Sequence, residues 1–276
     1  MRPETTTTFK ADGYYVAHGC IAHAFIDELL NDIRKVLTTQ LRHCKLSSTA
    51  NGDCIEEIYG AMKALYRHDQ AQYLATLRIF NKFKSVYQLF LAKSIAATCS
   101  ELGVALPIMH TLPLFHVLSN QLVIDGGYHG FAAHQDWTGL QSSLNTIVVW
   151  VPLHDIDRGL FPLEVLPQSH LHGVCRGVLE GEEYKIDDAY LAGQDFVPLP
   201  IRKGDAVFLS PFIIHRTGMT NTDELRLAAS WRYEDAVEPT FVARKYPFAQ
   251  LRVVKHSLVF PGFPSSGQIQ ELLDDI

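Results

Sequence analysis

Two histidines and one aspartate stand out among the polar residues of this chain because of their spacing. His134 and Asp136 flank Gln135 in the chain's one His-x-acidic triplet, and on an extended segment residues i and i+2 point to the same side. An imidazole and a carboxylate placed in this way can bind one transition-metal ion. His215, which follows a strand-like run at 206–209, is the best candidate for a third ligand. Two imidazoles and one carboxylate on one face of an ion leave three positions open, as in iron sites that react with O2.

An arginine shortly after His215 suggests a binding site for an anion. Arg226 lies on a strand-like run, 225–233, in which alternation places Arg226, Ala228, Ser230 and Arg232 on one face and two leucines and an alanine on the other. A buried guanidinium is costly without a carboxylate or phosphate partner. The partner would be either an anionic co-substrate or an internal Asp or Glu.

Together these residues resemble the phytanoyl-CoA dioxygenase family, whose members are Fe(II)- and 2-oxoglutarate-dependent oxygenases built on a double-stranded β-helix. The resemblance rests on the order and spacing of several motifs, not on any single one. It covers most of the chain and is weakest between about 45 and 105. The motifs are Phe9–Val16, His134–Asp136, Val148–Leu153, Pro162–His170, Gly204-Asp205, His215 and Arg226.

The resemblance implies roles for individual residues. His134, Asp136 and His215 would be the catalytic Fe(II) ligands, and Arg226 would hold the distal carboxylate of 2-oxoglutarate, the co-substrate that is used together with O2. Thr217 matches a hydroxyl position that helps to hold the same carboxylate, and Trp150 matches an aromatic residue of the co-substrate pocket. Related halogenases lack the carboxylate ligand, so Asp136 disfavours halogenation.

One stretch departs from the family pattern. Phe161-Pro162 and Gln168 stand where small residues or glycine are common. This leaves the expected ligands unchanged and puts the neighbouring loop on the substrate side in question.

The expected reaction is hydroxylation of a C–H bond in a polar small molecule, sugar-like or a specialised metabolite, with release of succinate and CO2. Tyr128, His129, Trp137 and Gln141 are expected to border the substrate cavity, because they lie close to the His-x-Asp segment. Arg232 faces the same side as Arg226 and would either meet an anionic substrate group or form a structural ion pair.

Two other classes of protein remain open. A cupin-like metal-dependent isomerase or hydrolase could hold Zn²⁺ at the same three ligands, but it would leave Arg226 without a purpose. A non-catalytic jelly-roll binding module would explain the strands alone.

The elements that must position these residues fall into two parts. Apolar residues at helical spacing predict helices at 21–42 and from an N-cap at Asp69 to about 103, with a surface loop at 47–53. From 107 onward, turn signals separate short apolar or alternating runs, which predict strands at 112–118, 121–124, 146–151, 163–166, 196–199, 206–209 and 225–233. We therefore expect a mainly β fold with flanking helices. It would be a single domain, 1–276, with a mainly helical part at 1–105 and a jelly-roll core at 106–276.

Composition narrows the possible partners. The 24 basic and 30 acidic residues give a net charge of −6, which argues against a nucleic-acid or anionic-membrane binder. The N-terminus lacks the apolar stretch of a secretory signal, and the five cysteines show no C-x-x-C pattern, so a cytoplasmic protein with free thiols is expected. A small-molecule substrate is the expected partner, and the sequence leaves the oligomeric state open.

Overall fold

A computed structural model describes residues 3–47, 54–109, 111–125, 128–175, 177–180 and 183–247. The helices are α1 (Pro3–Asp12), α2 (His23–His43), α3 (Cys54–His68), α4 (Gln70–Leu77), α5 (Lys84–Phe90), α6 (Lys93–Glu101), α7 (Asp136–Leu140), α8 (Asp188–Leu191) and α9 (Pro239–Ala243), with short 3-10 turns at Phe80–Lys82 and Ser169–His172. The strands are β1 (Tyr14–Ala17), β2 (Pro107–Ile108), β3 (Leu114–Leu118), β4 (Ile147–Pro152), β5 (Leu163–Leu166), β6 (Gly177–Glu180), β7 (Glu183–Ile186), β8 (Val197–Leu199), β9 (Ala206–Leu209), β10 (Ile214–Thr217) and β11 (Arg226–Asp235).

The strands form a large antiparallel sheet and a smaller one. In the large sheet the order is β1-β9-β4-β11, and β2 and β3 both pair with the far side of β11. The small sheet has the order β10-β5-β8, and β6 and β7 form a separate hairpin. All ten residues of β11 are buried, since this strand has neighbours on both edges.

Side-chain alternation on the large sheet divides the interior into two cores. On β4, Val149 and Val151 pack with the N-terminal helices, whereas Val148 and Trp150 pack with residues of the small sheet such as Val165. The large sheet therefore lies between a helical layer and the small sheet. This arrangement confirms the predicted mainly β fold, a double-stranded β-helix packed against N-terminal helices.

The helical layer agrees with the prediction at its start and differs further on. The predicted helix at 21–42 is confirmed as α2, and Asp69 caps α4 by accepting hydrogen bonds from the backbone N–H groups of Ala71 and Gln72. The helical stretch predicted from Asp69 to about 103 is present, but as three short helices, α4, α5 and α6. Phe83 and Ala92 take extended backbone angles that separate α4, α5 and α6.

These breaks let aromatic side chains from successive short helices reach the sheet. Phe80 contacts Phe115 of β3 edge to face at 5.7 Å between ring centroids, and Phe90 contacts Trp231 of β11 at 5.9 Å. One straight helix would carry its apolar residues along a single stripe, whereas the bent segment follows the curved sheet.

Six of the seven predicted strands are present. The strand predicted at 121–124 is wrong, because Ser119 starts a turn there and accepts a hydrogen bond from the backbone of Leu122. The helical N-terminal part also contributes a strand, since β1 pairs with β9. Most of the loop predicted at 47–53 lies outside the described residues. Within the described part of the chain, no helix has both the length and the apolarity needed to cross a membrane.

Candidate metal centre and anion pocket

The two candidate histidine ligands face each other across an isolated pair of extended residues. The backbone N–H of His134 donates to the carbonyl of His215 at 3.0 Å, and the reverse hydrogen bond is 3.1 Å long. His215 also belongs to β10, which pairs with Val165 of β5. The two imidazole centroids are 4.2 Å apart, so both rings lie on the same side of the backbone pair.

Asp136 joins the two histidines from the start of a helix. Gln135 is extended, with φ −117° and ψ 130°, and Asp136 is the first residue of α7, so the expectation of a continuous extended segment through Asp136 is wrong. The extended Gln135 is enough to bring the carboxylate to the histidine side, where Oδ1 lies 3.8 Å from Nε2 of His134. One ligand atom from each of His134, Asp136 and His215 lies within 4.8 Å of the others.

The tautomers of both histidines leave the same nitrogen available. Nδ1 of His134 lies 2.8 Å from the carbonyl of Ala132, and Nδ1 of His215 lies 3.2 Å from the carbonyl of Ile213. Because a carbonyl only accepts, each Nδ1 carries a proton, so Nε2 is the nitrogen of each ring that is left to bind a metal. Burial and the neighbouring His134 lower the pKa of His215 to about 4, so this ring is neutral at pH 7. Two imidazole nitrogens and a carboxylate form a donor set that fits Fe(II).

Asp136 is held by an arginine from β11. Nη2 of Arg232 donates to both carboxylate oxygens, at 3.0 Å and 3.1 Å. Burial alone would raise the pKa of Asp136, but Arg232 and the two histidines hold it well below its usual range. Of the two possibilities left open for Arg232, the structure favours the ion pair over an anionic substrate group.

A chain of hydrogen bonds, buried at Ser230 and partly buried at Tyr128, continues from Arg232 toward Arg226. Nη1 of Arg232 donates to Oγ of Ser230 at 3.1 Å, and this hydroxyl lies 2.9 Å from Nε2 of His116. Nδ1 of His116 lies 3.2 Å from the Tyr128 hydroxyl, which accepts from Nη2 of Arg226 at 3.4 Å. Burial, together with Arg226 and Arg232, keeps the pKa of His116 well below its usual range, so its ring is neutral.

His116 and Ser230 are site residues that the sequence analysis missed. The sequence did indicate Ser230, because strand alternation puts it on the same face of β11 as Arg226 and Arg232. Nothing in the sequence indicated His116, since its place depends on the pairing of β3 with β11, which sets His116 opposite Ala228.

Arg226 is buried and incompletely satisfied. It is 2% exposed; Nη1 donates to the carbonyl of Phe161 at 2.7 Å, and Nε is buried without a hydrogen-bond partner. Among the described residues no carboxylate forms an ion pair with it, so the alternative of an internal acidic partner finds no support there. Burial lowers the pKa of Arg226, yet an arginine stays protonated at neutral pH. This corner therefore holds a buried positive charge that an anion would neutralise.

Thr217 and Trp150 lie on the elements around Arg226. Thr217 follows His215 on β10, and its hydroxyl accepts from the backbone N–H of Phe131 at 3.1 Å, which leaves the hydroxyl proton able to donate. Trp150 lies on β4 with its ring centroid 5.8 Å from the guanidinium carbon of Arg226. The ring of His129 packs against Phe161 at 6.4 Å, on the same side.

The departure from the family pattern coincides with unusual backbone angles. Phe161 has φ +44° and Gln168 has φ +67°, in the left-handed region that glycine adopts without strain. Phe161 and Gln168 therefore have the backbone conformation that glycine adopts easily, although neither residue is a glycine. At Phe161 this backbone directs the carbonyl that accepts from Arg226.

The remaining expected residues have different surroundings. Trp137 stacks on Phe212 at 5.5 Å, with its indole N–H buried and without a partner, and Gln141 is exposed at the end of α7. His170, from the Pro162–His170 motif, packs against Gly13 and lies 3.1 Å from the carbonyl of Lys10, on the N-terminal side of the fold.

Gln135, the middle residue of the triplet, is a second omission of the sequence analysis. Its side chain is buried and donates to the carbonyls of Gly173 and Phe212, at 2.8 Å and 2.5 Å, while Oε1 accepts from the backbone N–H of Cys175 at 2.8 Å. The residue between two candidate ligands therefore ties three backbone groups to the site.

Fold and site together define a double-stranded β-helix protein with a two-histidine, one-carboxylate centre that fits Fe(II). The chain belongs to the phytanoyl-CoA dioxygenase (PhyH) family, whose model matches residues 9–228. The peroxisomal phytanoyl-CoA dioxygenase of Rattus norvegicus is 31% identical over 113 residues, covering 36% of this chain and 32% of the relative. The enzyme of the same name from Bos taurus is 29% identical over 116 residues, covering 37% and 33%. The matched segment spans about a third of the length of these relatives.

Solved structures share the fold at low sequence identity. The non-heme monooxygenase ThoJ in its apo form has a TM-score of 0.57 at 18% identity, over 84% of this chain and 77% of that one. EctD from S. alaskensis with bound Fe gives 0.55 at 16%, over 92% and 87%. The epimerase SnoN in complex with Fe3+, alpha ketoglutarate and nogalamycin RO gives 0.51 at 20%, over 91% and 92%.

Proposed function

We propose that this protein is an Fe(II)- and 2-oxoglutarate-dependent oxygenase formed by one domain, 1–276, that hydroxylates a C–H bond of a polar small molecule and releases succinate and CO2. The observation that carries the proposal is the presence of two features in the same protein. One is a converging group of three ligands with both Nε2 atoms available, and the other is a buried, positively charged Arg226 whose Nε has no partner. A metal site alone would not require the second feature.

His134, Asp136 and His215 hold Fe(II) in this proposal, with the two imidazoles fixed by their backbone acceptors and the carboxylate by Arg232. The bound metal, with 2-oxoglutarate and O2, supplies the oxidising power for attack on the substrate. The protein orients the ligands and leaves one side of the metal to co-substrate and O2.

Arg226, Thr217 and Trp150 bind the co-substrate. Arg226 receives the distal carboxylate of 2-oxoglutarate in an environment where the charge-assisted hydrogen bond is strong, because Arg226 is buried. Thr217 donates its hydroxyl proton to the same carboxylate, and Trp150 closes the apolar side of the pocket. The carbonyl of Phe161 keeps the guanidinium from turning away.

Tyr128, His129, Trp137 and Gln141 form the proposed substrate side. Tyr128 is 37% exposed and carries a hydroxyl that is already part of the hydrogen-bond chain, and Gln141 offers an exposed amide. These polar groups suit a substrate with hydroxyl or amide functions. Arg232 is left out of this set, because its guanidinium is bound to Asp136.

Hydroxylation is the proposed outcome among several that this fold supports, since the solved structures above carry the names monooxygenase and epimerase. A zinc isomerase or hydrolase would leave the charge of Arg226 without a counter-ion. A binding module without catalysis would need neither the ligand group nor the arginine.

The test uses purified protein with Fe(II) and 2-oxoglutarate. Without O2 we expect a weak visible charge-transfer band, and with O2 a slow formation of succinate even without substrate. His134→Ala should remove both signals, and their persistence in that variant would contradict the ligand assignment. Candidate metabolites that accelerate succinate release, followed by mass analysis for one added oxygen, would then identify the substrate and the outcome.

Arg226→Met tests the co-substrate site. The loss of a hydrogen-bonded ion pair to a buried arginine costs roughly 3 kcal/mol, which corresponds to an increase of about 100-fold in the Kd of 2-oxoglutarate. Arg216→Met is the matched control, because Arg216 adjoins His215 but pairs with Glu164. Equal affinities in both variants would make Arg226 a purely structural residue.

A further inference from the structure

The pair formed by Arg232 and Asp136 uses one nitrogen for two oxygens. Nη2 lies within hydrogen-bond distance of Oδ1 and Oδ2, and both side chains are only 9% exposed. The other terminal nitrogen, Nη1, donates to Ser230. The guanidinium therefore binds the Asp136 carboxylate through Nη2 and a residue of the large sheet, Ser230, through Nη1.

The two carboxylate oxygens differ in what else they face. Oδ1 lies 3.8 Å from Nε2 of His134 and is the nearer of the two oxygens to this candidate ligand. An ion bound between the three ligands would take Oδ1, while Oδ2 keeps its hydrogen bond from Arg232. A carboxylate without such a partner can also bind a cation through both oxygens.

We propose that Arg232 is a positioning residue that restricts Asp136 to ligation through one oxygen and so keeps three positions of the metal open. This inference rests on the proposed function, because three open positions are what a co-substrate with two donor atoms and O2 together require. A second oxygen from Asp136 would occupy one of them.

The surroundings of Arg232 explain how a long side chain can serve this purpose. Ser230 accepts from Nη1 and lies 2.9 Å from Nε2 of His116, whose Nδ1 lies 3.2 Å from the Tyr128 hydroxyl. His116 and Ser230 are buried on two paired strands, β3 and β11. The guanidinium therefore has little freedom to follow a carboxylate that turns toward the metal.

Arg232 also carries a positive charge beside the proposed cation site. The effect of its replacement on metal affinity therefore distinguishes a positioning role from one of only supporting the fold. A residue that only stabilised the fold would lower metal affinity when replaced. Removing Arg232 should instead raise the affinity for a divalent cation several-fold, because the cation then becomes the only counter-charge of a buried carboxylate. The number of open positions should fall at the same time.

Mn(II) is the probe, because the proton relaxation of bulk water reports how many water molecules the bound ion carries and needs no turnover. In wild type we expect three waters on Mn(II), and in Arg232→Met two, a decrease of roughly one third in relaxation enhancement. With 2-oxoglutarate added, wild type should keep one water and the variant none, because the co-substrate occupies two positions in both.

Two further variants complete the design. Arg232→Lys keeps the charge and one donor and should restore the relaxation toward wild type, and Arg216→Met, which removes the same charge next to His215, should leave it unchanged. Arg232→Gln replaces the methionine variant if circular dichroism shows that the latter does not fold.

The outcomes separate the two proposals. Wild-type protein that binds no Mn(II), or binds it equally well after His134→Ala, would overturn the proposed function and this inference with it. Normal wild-type binding with an unchanged water number in Arg232→Met and Arg232→Gln would overturn the inference alone. A lower Mn(II) affinity in both variants would likewise overturn it, since Arg232 would then only support the fold.

Discussion

Replacing Gln135 by methionine should destabilise the whole protein, although the residue touches neither the proposed metal nor the co-substrate. Methionine matches glutamine in length but supplies neither the donor nor the acceptor. The carbonyls of Gly173 and Phe212 and the N–H of Cys175 would each lose a buried partner. Each of the three hydrogen bonds contributes about 1 kcal/mol net, so we expect the free energy of unfolding to fall by about 3 kcal/mol.

The assay is urea denaturation followed by circular dichroism, with a parallel thermal melt. A loss of about 3 kcal/mol corresponds to a decrease of roughly 6–10 °C in Tm for a chain of this size. Gln141→Met is the control, because the Gln141 side chain is exposed and, among the described residues, makes one weak hydrogen bond, to the carbonyl of Thr138 at 3.3 Å. If the two variants lost the same small amount, the view of Gln135 as the tie between the site and its loops would be refuted.

Metal affinity provides a second measurement on the same variant. Gln135 separates His134 from Asp136, so its backbone angles set the distance between the two candidate ligands. With its side chain no longer tied down, we expect Fe(II) affinity to fall about tenfold or more, as is usual when groups that orient metal ligands are lost.

Three other substitutions test separate parts of the structure. Gly130 has φ +87°, and a Cβ added there would lie 3.1 Å from Cβ and Cγ2 of Thr217. Gly130→Ala should therefore lower the free energy of unfolding by about 1–2 kcal/mol and weaken the binding of 2-oxoglutarate. A thermal melt and a binding titration would measure the two effects. Gln168→Gly should raise the free energy of unfolding by roughly 0.5–1 kcal/mol in urea titration, because an exposed side chain at φ +67° is strained. Although burial alone would raise it, the pKa of Asp235 lies below its usual range owing to hydrogen bonds from Asn145 and backbone N–H groups. Its stabilising effect is present at neutral pH and lost as pH falls through that lowered pKa, so urea midpoints of wild type and Asp235→Asn should differ at pH 7 and converge in acid.

The fold could be predicted where a pattern is local and strong. Short apolar runs between turn signals predicted most of the buried strands, and the helical spacing of apolar residues predicted α2. Periodicity failed after Asp69, because apolar residues keep their spacing across a bend, and the extended angles at Phe83 and Ala92 depend on the sheet beneath them.

The site shows the same division between local and distant information. The spacing of His134 and Asp136 and the shared face of Arg226 and Arg232 follow from the sequence, because each involves neighbours along the chain. That Arg232 binds Asp136 could not be predicted, since 96 residues separate the two and only the sheet register brings them together. The place of His116 depends on register in the same way.

The backbone pair between His134 and His215 has a consequence for the order of folding. Roughly 80 residues separate the two histidines, and closing a chain segment of that length is slow compared with forming a helix or hairpin. Neither histidine has its partner until the small sheet has docked, so a metal ion would find its full ligand set only late on the folding pathway. Bound iron would then stabilise the folded state but not the transition state for folding. It should slow unfolding while leaving the refolding rate almost unchanged.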